Sequence, residues 1–404
     1  MTEAPVTVEA YQSAILRAIT PLPPASAELA DAEGCVLAED VTAAVSLPSF
    51  DNSSMDGYAV RAADTNHSSE RSPATLPVKG EIAAGDTGVS RLAPGTAIRI
   101  MTGAQMPAGA DSVVPVEWTN GSQDRVEIYR PVKPGNAVRY TGGDAAAGET
   151  LLEKGVRMRP MQIAVAASAG RTKVQVRPRP RVVVLSTGNE LTEPGAPLVP
   201  GRIWDSNSYM IAAAAREAGA AACRRSAVPD DTAGVLPALE EQLHHADLLV
   251  TTGGVSMGGE HDVVKAALRE LGTVTFTKVA MQPGMPQGFG TIGDARVPIF
   301  TLPGNPVSAY VSFQLFVRPA IAALQGAADL SLPSVRATLT AGVRSPEGRR
   351  SYLRGVLSGD KVAPLSGQGS HQIAALGRAN ALIIVPERET QLPQGDVVDV
   401  LVLP

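Results

Sequence analysis

The sequence predicts a multidomain protein that joins a central α/β domain to smaller β domains, on three observations. The chain has 404 residues, more than one ordinary domain of about 100–200 residues. Between residues 182 and 325, apolar runs of strand length alternate with helical patterns, which calls for a mostly parallel sheet with helical crossovers. Over residues 50–145, and again after Pro333, short β-rich runs alternate with Gly/Pro turns, the pattern of small β domains. The 39 glycines and 32 prolines suit such a succession of short elements.

Taken in order, Val8, Tyr11, Ile15 and Ile19 form one helical stripe, stopped by Pro21. A short helical piece and an extended segment follow over 28–45 and end at Pro48. Residues 76–82, 96–101, 111–117 and 125–132 read as strands of a small antiparallel β domain. Residues 161–168 read as a helix, and RPRPR at 177–181 as a linker. Residues 182–185 and 247–250 are buried strands, with helices at 208–218, 235–244 and 262–271. Strands at 273–278 and 298–302 and a long helix at 306–324 complete the α/β region, and a C-terminal β domain follows.

Composition excludes several functions. A net charge of −5 and 4% aromatic residues argue against a nucleic-acid binder, which needs basic surface and stacking platforms. Cys35 and Cys223 form no CxxC pair and no disulfide framework, as expected of reduced thiols in a cytoplasmic protein. No basic-then-apolar leader opens the sequence. Apolar stretches such as 210–215 fall short of the roughly 20 residues that span a bilayer. The expectation is a cytoplasmic protein without direct membrane insertion.

The sharpest chemical feature is TTGGVSMGG at 251–259, after a buried strand and before a helix. Glycines there let backbone N–H groups reach an anion, and the helix dipole favours negative charge. The spacing is neither that of a dinucleotide-binding turn nor that of a P-loop. STGNEL at 186–191 and LPGNPVS at 302–308 leave other strand ends, so three small-residue loops should converge on one crevice beyond the carboxyl ends of the strands. Glu190, Asp205, Asp230, Asp231 and Asp262 lie near these loops, and carboxylates beside a phosphate site hold Mg²⁺. In the small β domain, NSSMDGYAVR at 52–61, MTGA at 101–104 and VRYTGGD at 138–144 read by themselves as turns. His67, His244, His245, His261 and His371 share no metal-ligand spacing. Arg344, Arg349, Arg350 and Arg354 read as a solvated basic face.

Together the motifs resemble the molybdopterin molybdotransferase family, the bacterial MoeA proteins, similar to the E domain of gephyrin. The resemblance runs through NSSMDGYAVR, IMTGAQMPAGADSVV at 100–114, VRYTGGD, STGNEL, WDSNSYM at 204–210, TTGGVSMG, LPGNPVS and SGQGSHQIAALGRANALI at 366–383, in the family's order. It implies four parts: a helical and extended linking domain at 1–48 with 145–177, a small β domain at 49–144, an α/β domain at 178–328 and a barrel-like β domain at 329–404. It also implies an elongated homodimer, with sites between the α/β domain of one subunit and the small β domain of the other. The implied reaction inserts molybdate into adenylylated molybdopterin with Mg²⁺-dependent release of AMP, giving molybdenum cofactor.

Carried over by motif, the catalytic positions fall on Asp56, Thr102, Arg139, Asp144, Glu190, Asp230, Asp262 and Lys278, with Glu190, Asp230 and Asp262 as metal ligands. Substrate-binding positions fall on Thr187, Gly188, Ser206, Asn207, Gly253, Gly254, Val255, Ser256, Gly258, Pro303, Gly304, Asn305 and Ser308. Two departures stand out. One residue more than usual precedes Asp262, so either Asp262 is displaced or Glu260 takes its place. In the segment 278–286 Gln282 is neutral and Met285 stands where the family has a lysine. Losing a charged hydrogen bond to an oxyanion costs about 1.5–3 kcal/mol, unless neighbouring cations compensate. These departures motivate a second reading, a degenerate paralogue that acts as a gephyrin-like scaffold and binds a partner-protein peptide at a groove of the C-terminal domain.

Overall fold

The structure is a computed structural model that describes residues 4–88, 91–228, 232–253, 268 and 272–404, with the backbone alone at 227–228 and 232–236. The chain divides into two compact units. One comprises Met1–Glu39, Lys154–Arg159 and Lys173–Pro404; the other comprises Asp40–Glu153 and Pro160–Thr172.

The larger unit is built on a six-stranded sheet. Its spatial order is Ala221–Val228, Arg181–Thr187, Leu248–Thr252, Val297–Leu302, Pro286–Ile292, Thr275–Lys278. The first four strands run parallel; Pro286–Ile292 runs antiparallel to both its neighbours, so Thr275–Lys278 points the same way as the first four. Strand side chains alternate between faces, and both faces of this sheet are covered. Val182, Val184, Leu248, Val250, Phe300 and Leu302 pack with the helices Val8–Ala18, Asn207–Glu217 and the long helix 306–324. Val183, Leu185, Leu249 and Ile299 pack on the other side with Leu239 and Leu268. That double burial explains why these strands read as continuous apolar runs.

Two strands escape the sequence reading. Pro286–Ile292 reads PQGFGTI, which looks like a turn. Its Gly290 is needed for close approach, because a Cβ there would lie 2.4 Å from the Thr273 carbonyl oxygen. Ala221–Val228 carries two arginines because it is an edge strand with an exposed side. RPRPR is no long linker: Arg177 closes the strand Lys173–Arg177 and Arg181 opens the next. The predicted helix at 262–271 lies, apart from Leu268, outside the described residues.

The long helix is α-helical at Pro306–Ser312, widens into a π turn over Phe313–Val317 and resumes at Arg318–Leu324. Pro319 supplies the cause: it has no N–H to donate, and its ring crowds the carbonyl four residues back. Pro306–Leu324 is apolar and long enough to cross a membrane, but most of it is buried inside the protein. Tyr11 meets Phe316 edge-on at 4.9 Å, fixing the first helix against it.

After the long helix, Ser334–Leu339, Arg350–Ser358, Lys361–Pro364, Ala381–Val385 and Val397–Val402 close into a five-stranded barrel. Arg354 belongs to no solvated face. It is fully buried, and its guanidinium donates to the carbonyls of Gly367, Gly369 and Gln372. Arg350 is engaged as well, by Glu9 and Glu387.

The smaller unit holds a five-stranded sheet in the order Ser112–Pro115, Gly57–Val60, Ala97–Ile100, Ala74–Ile82, Arg125–Ile128. It is not wholly antiparallel: Ala74–Ile82 and Ala97–Ile100 run parallel. The connection 83–96 is long enough for the crossover that a parallel pair needs, about a dozen residues. Two ribbons, Asn52–Ser53 with Val138–Arg139 and Val41–Thr42 with Thr150–Leu152, and the helix Pro160–Ser168 complete it.

Candidate functional site

Three of the parallel strands end at one crevice of about 310 Å³, lined by Ser186, Thr187, Glu190, Ser206, Asn207, Thr252, Gly253, Gly304 and Asn305 among others. This is where an open α/β sheet binds its ligand. Gly253 makes the convergence possible. Its φ is +98°, and a Cβ there would lie 2.4 Å from the Thr187 carbonyl oxygen. Asn207 ties the loops together by donating to Thr252 Oγ1 at 2.9 Å and to the Gly304 carbonyl at 2.7 Å.

Asp205 has a structural task. Buried beside the crevice, it accepts from Ser186 Oγ at 3.0 Å, from Ser208 N at 3.1 Å and from Ser208 Oγ. It thereby ties the start of the helix Asn207–Glu217 to the strand Arg181–Thr187, and both its oxygens are spoken for. Glu190 is exposed on the rim. Two buried atoms of lining residues, Thr187 Oγ1 and Asn207 Oδ1, have no hydrogen-bond partner among the described residues. Unpaired buried polar atoms cost about 1–3 kcal/mol each, so a crevice that keeps them is suited to a polar ligand.

A second cavity, of about 510 Å³, adjoins the first, with Asn305 and His371 lining both. Pro303, Ser308, Gln282, Met285 and Arg349 line the second cavity as well. The strand Met281–Gln282 pairs with Arg350 and Ser351 of the barrel, which carries Arg349 to the cavity that also holds Met285. From the barrel side, Gln368–His371 complete the wall, with Ser370 Oγ accepting from Asn305 Nδ2 at 3.0 Å. Lys278 ends its strand opposite Pro286, half-buried, and lines neither cavity. Gly188 is buried within the first loop. Gly254, Val255, Ser256, Gly258, Asp230 and Asp262, with Glu260, lie outside the described residues. Among the described residues, His, Cys, Asp and Glu gather in no group of three or more suited to a metal ion.

The smaller unit assembles its own constellation. The segment 52–56 is held between two loops: Ser53 N donates to the Ala104 carbonyl and Ser54 N to that of Ala137. Asp56 Oδ1 accepts from both Thr102 N and Thr102 Oγ1 at 2.7 Å, and these bonds hold its carboxyl below the usual carboxylate range. Asp51, which sequence reasoning missed, binds Thr141 in the same way at 2.8 Å, with the same effect on its carboxyl. The signal was present: two aspartates flank NSSM, and the Thr-Gly pairs 102–103 and 141–142 lie downstream. Arg139 stands opposite Asn52 in the ribbon, and Arg139 and Asp144 are exposed.

Comparison with known proteins then identifies the chain's relatives. Family profiles of the MoeA N-terminal region (domain I and II), of a probable molybdopterin binding domain and of the MoeA C-terminal region (domain IV) match residues 6–170, 183–323 and 336–403. The chain belongs to the MoeA family. Molybdopterin molybdenumtransferase 2 of Mycobacterium tuberculosis is 44% identical over 397 residues, covering 96% of this chain and 97% of that protein. The molybdopterin molybdenumtransferase of Haemophilus influenzae is 35% identical, covering 92% of each. The crystal structure of the molybdopterin biosynthesis moeA protein from Pyrococcus horikoshii OT3 superposes with a TM-score of 0.84 at 28% identity, covering 99% of this chain and 100% of that one. In this MoeA chain, every described residue lining the first crevice except His371 and Ile373 falls within the segment matched as the molybdopterin binding domain.

Proposed function

We propose that this chain inserts molybdate into adenylylated molybdopterin, releasing AMP and yielding molybdenum cofactor. The observation that carries the reading is the pair of adjoining cavities at the strand ends of a molybdopterin binding domain. Such a substrate has an anionic linkage flanked by ring systems, and it must meet a second, oxyanionic substrate. One polar crevice at glycine loops and one neighbouring cavity with a cation match those two demands. The names of relatives that align over nearly the whole chain support the same reading.

In this reading Thr187, Gly188, Ser206, Asn207, Gly253, Gly304 and Asn305, with Gly254, Val255, Ser256 and Gly258, hold the pyrophosphate and its flanks. Pro303 and Ser308 belong to the oxyanion's cavity, where Arg349 supplies positive charge. Asp56, Thr102, Arg139, Asp144, Glu190, Asp230, Asp262 and Lys278 are the catalytic set. Magnesium fits the donors present, since Glu190 offers a free carboxylate on the rim and Thr187 an unpartnered hydroxyl, both hard oxygen ligands. Glu190, with Asp230 and Asp262, would hold the ion, which when bound neutralises the phosphoanhydride. A homodimer is part of the proposal.

The scaffold reading draws no support from a specific observation. Its motives were the lysine missing at Met285 and the extra residue before Asp262; Arg349 lines the same cavity as Met285, and Asp262 lies outside the described residues. The test is to incubate the purified chain with adenylylated molybdopterin, molybdate and Mg²⁺, following AMP and cofactor. Turnover no faster than buffer overturns the proposal.

A further inference from the structure

We propose that Trp204 is the stacking platform of the crevice, a positioning residue that holds a flat heteroaromatic ring of the substrate; the identity of that substrate rests on the reading above. Trp204 lies on the two-residue strand Ile203–Trp204, which pairs in parallel with Leu191–Thr192 on the rim of the crevice. Its indole N–H is already satisfied, donating to the Ala196 carbonyl at 3.0 Å. What remains open is the apolar ring, 51% exposed. Ile203 and Ile373, 57% and 42% exposed, line the same crevice.

Single exposed apolar residues are ordinary. Three lining one polar crevice are less ordinary, and exposed apolar side chains gathered at a crevice mark binding sites. The crevice therefore has two characters. The strand ends bring loop glycines and the unpaired Thr187 Oγ1 and Asn207 Oδ1; the rim brings an aromatic face and two branched aliphatics. That combination suits a ligand with an anionic linkage and a planar ring. Nearby Tyr209 offers no such face, because the Arg224 guanidinium sits 3.9 Å over its ring and its hydroxyl donates to Glu193 at 2.6 Å. Among the described residues no ring or guanidinium covers Trp204. Adenylylated molybdopterin carries two flat nitrogen rings, the pyrimidinone ring of its pterin and adenine, and either has the π-face that stacking requires.

Steady-state kinetics of Trp204→Ala and Trp204→Phe test the proposal. Stacking contributes to substrate and transition state alike, so W204A should raise KM for adenylylated molybdopterin about tenfold or more, with a much smaller fall in kcat. W204F, which keeps a ring, should stay within about threefold of wild type. An unchanged KM in W204A, or a W204F as impaired as W204A, overturns the proposal. Calorimetry with AMP, 6-hydroxymethylpterin and ribose 5-phosphate assigns the ring. Binding of AMP that W204A weakens puts adenine on Trp204; the same result with the pterin puts pterin there. If neither ring compound binds wild type more tightly than ribose 5-phosphate, there is no platform. If ring binding depends on Trp204 but no cofactor is made, the platform stands and the molybdopterin reading falls.

Discussion

Asp56 and Thr102 show how much one pair of side chains can set. The backbone N–H of Thr102, and then its hydroxyl, lower the Asp56 carboxyl from its ordinary value. A depressed carboxylate adds stability above the unfolded-state pKa and loses it as pH falls through the folded-state pKa. Any effect of this pair is therefore confined to the acid side, and Asp56 stays ionised near neutrality. Replacing Thr102 with Val removes the hydroxyl and keeps the N–H, so the Asp56 carboxyl resonance should titrate at a higher pH than in wild type but still below a free carboxylate. At Gly253, alanine must accept positive φ and crowd the Thr187 carbonyl; Gly253→Ala should cost about 1–3 kcal/mol in denaturant unfolding and weaken substrate binding. At Met285, lysine should change activity little because Arg349 already serves that cavity, whereas Arg349→Ala should lower kcat/KM for molybdate about tenfold or more. Equal effects of the two substitutions would refute the assignment of Arg349.

Among the elements, the barrel loop 366–372 depends on Arg354. A buried guanidinium bound only to carbonyls, with no carboxylate partner among the described residues, is costly, and its Nε is left without a partner there while the two terminal nitrogens are placed. Here it fixes Gly367, Gly369 and Gln372, while Gln368 bonds both the N–H and the carbonyl of Arg354. Arg354→Lys keeps the charge but not the fork, and should destabilise by about 2–3 kcal/mol. Amide exchange at 366–372 should rise selectively, and unchanged exchange would contradict this role. None of this was legible in the sequence, where Arg354 reads as one of four basic residues. The buried parallel strands were legible, because burial on both faces writes an apolar run. The strand Pro286–Ile292 was not, because the glycines that let its neighbours approach also imitate a turn. The meeting of the STGNEL and LPGNPVS loops with Gly253 followed from their positions after strands; the Ile203–Trp204 rim did not, because an exposed aromatic carries no periodic signal.

For the whole molecule, three family profiles match most of the chain, and the two units hold separate constellations of polar residues. The homodimer predicts a sedimentation mass of about twice that of one chain, in keeping with the prevalence of two-fold assemblies. A monomer at micromolar concentration would remove that part of the proposal. The central claim is chemical and has a direct measurement: AMP release and cofactor formation from adenylylated molybdopterin, with molybdate and magnesium supplied together and each withheld in turn. The account predicts turnover with the complete mixture, lost in Glu190→Ala. Turnover that does not exceed the protein-free control, from a correctly folded wild-type chain, would contradict it.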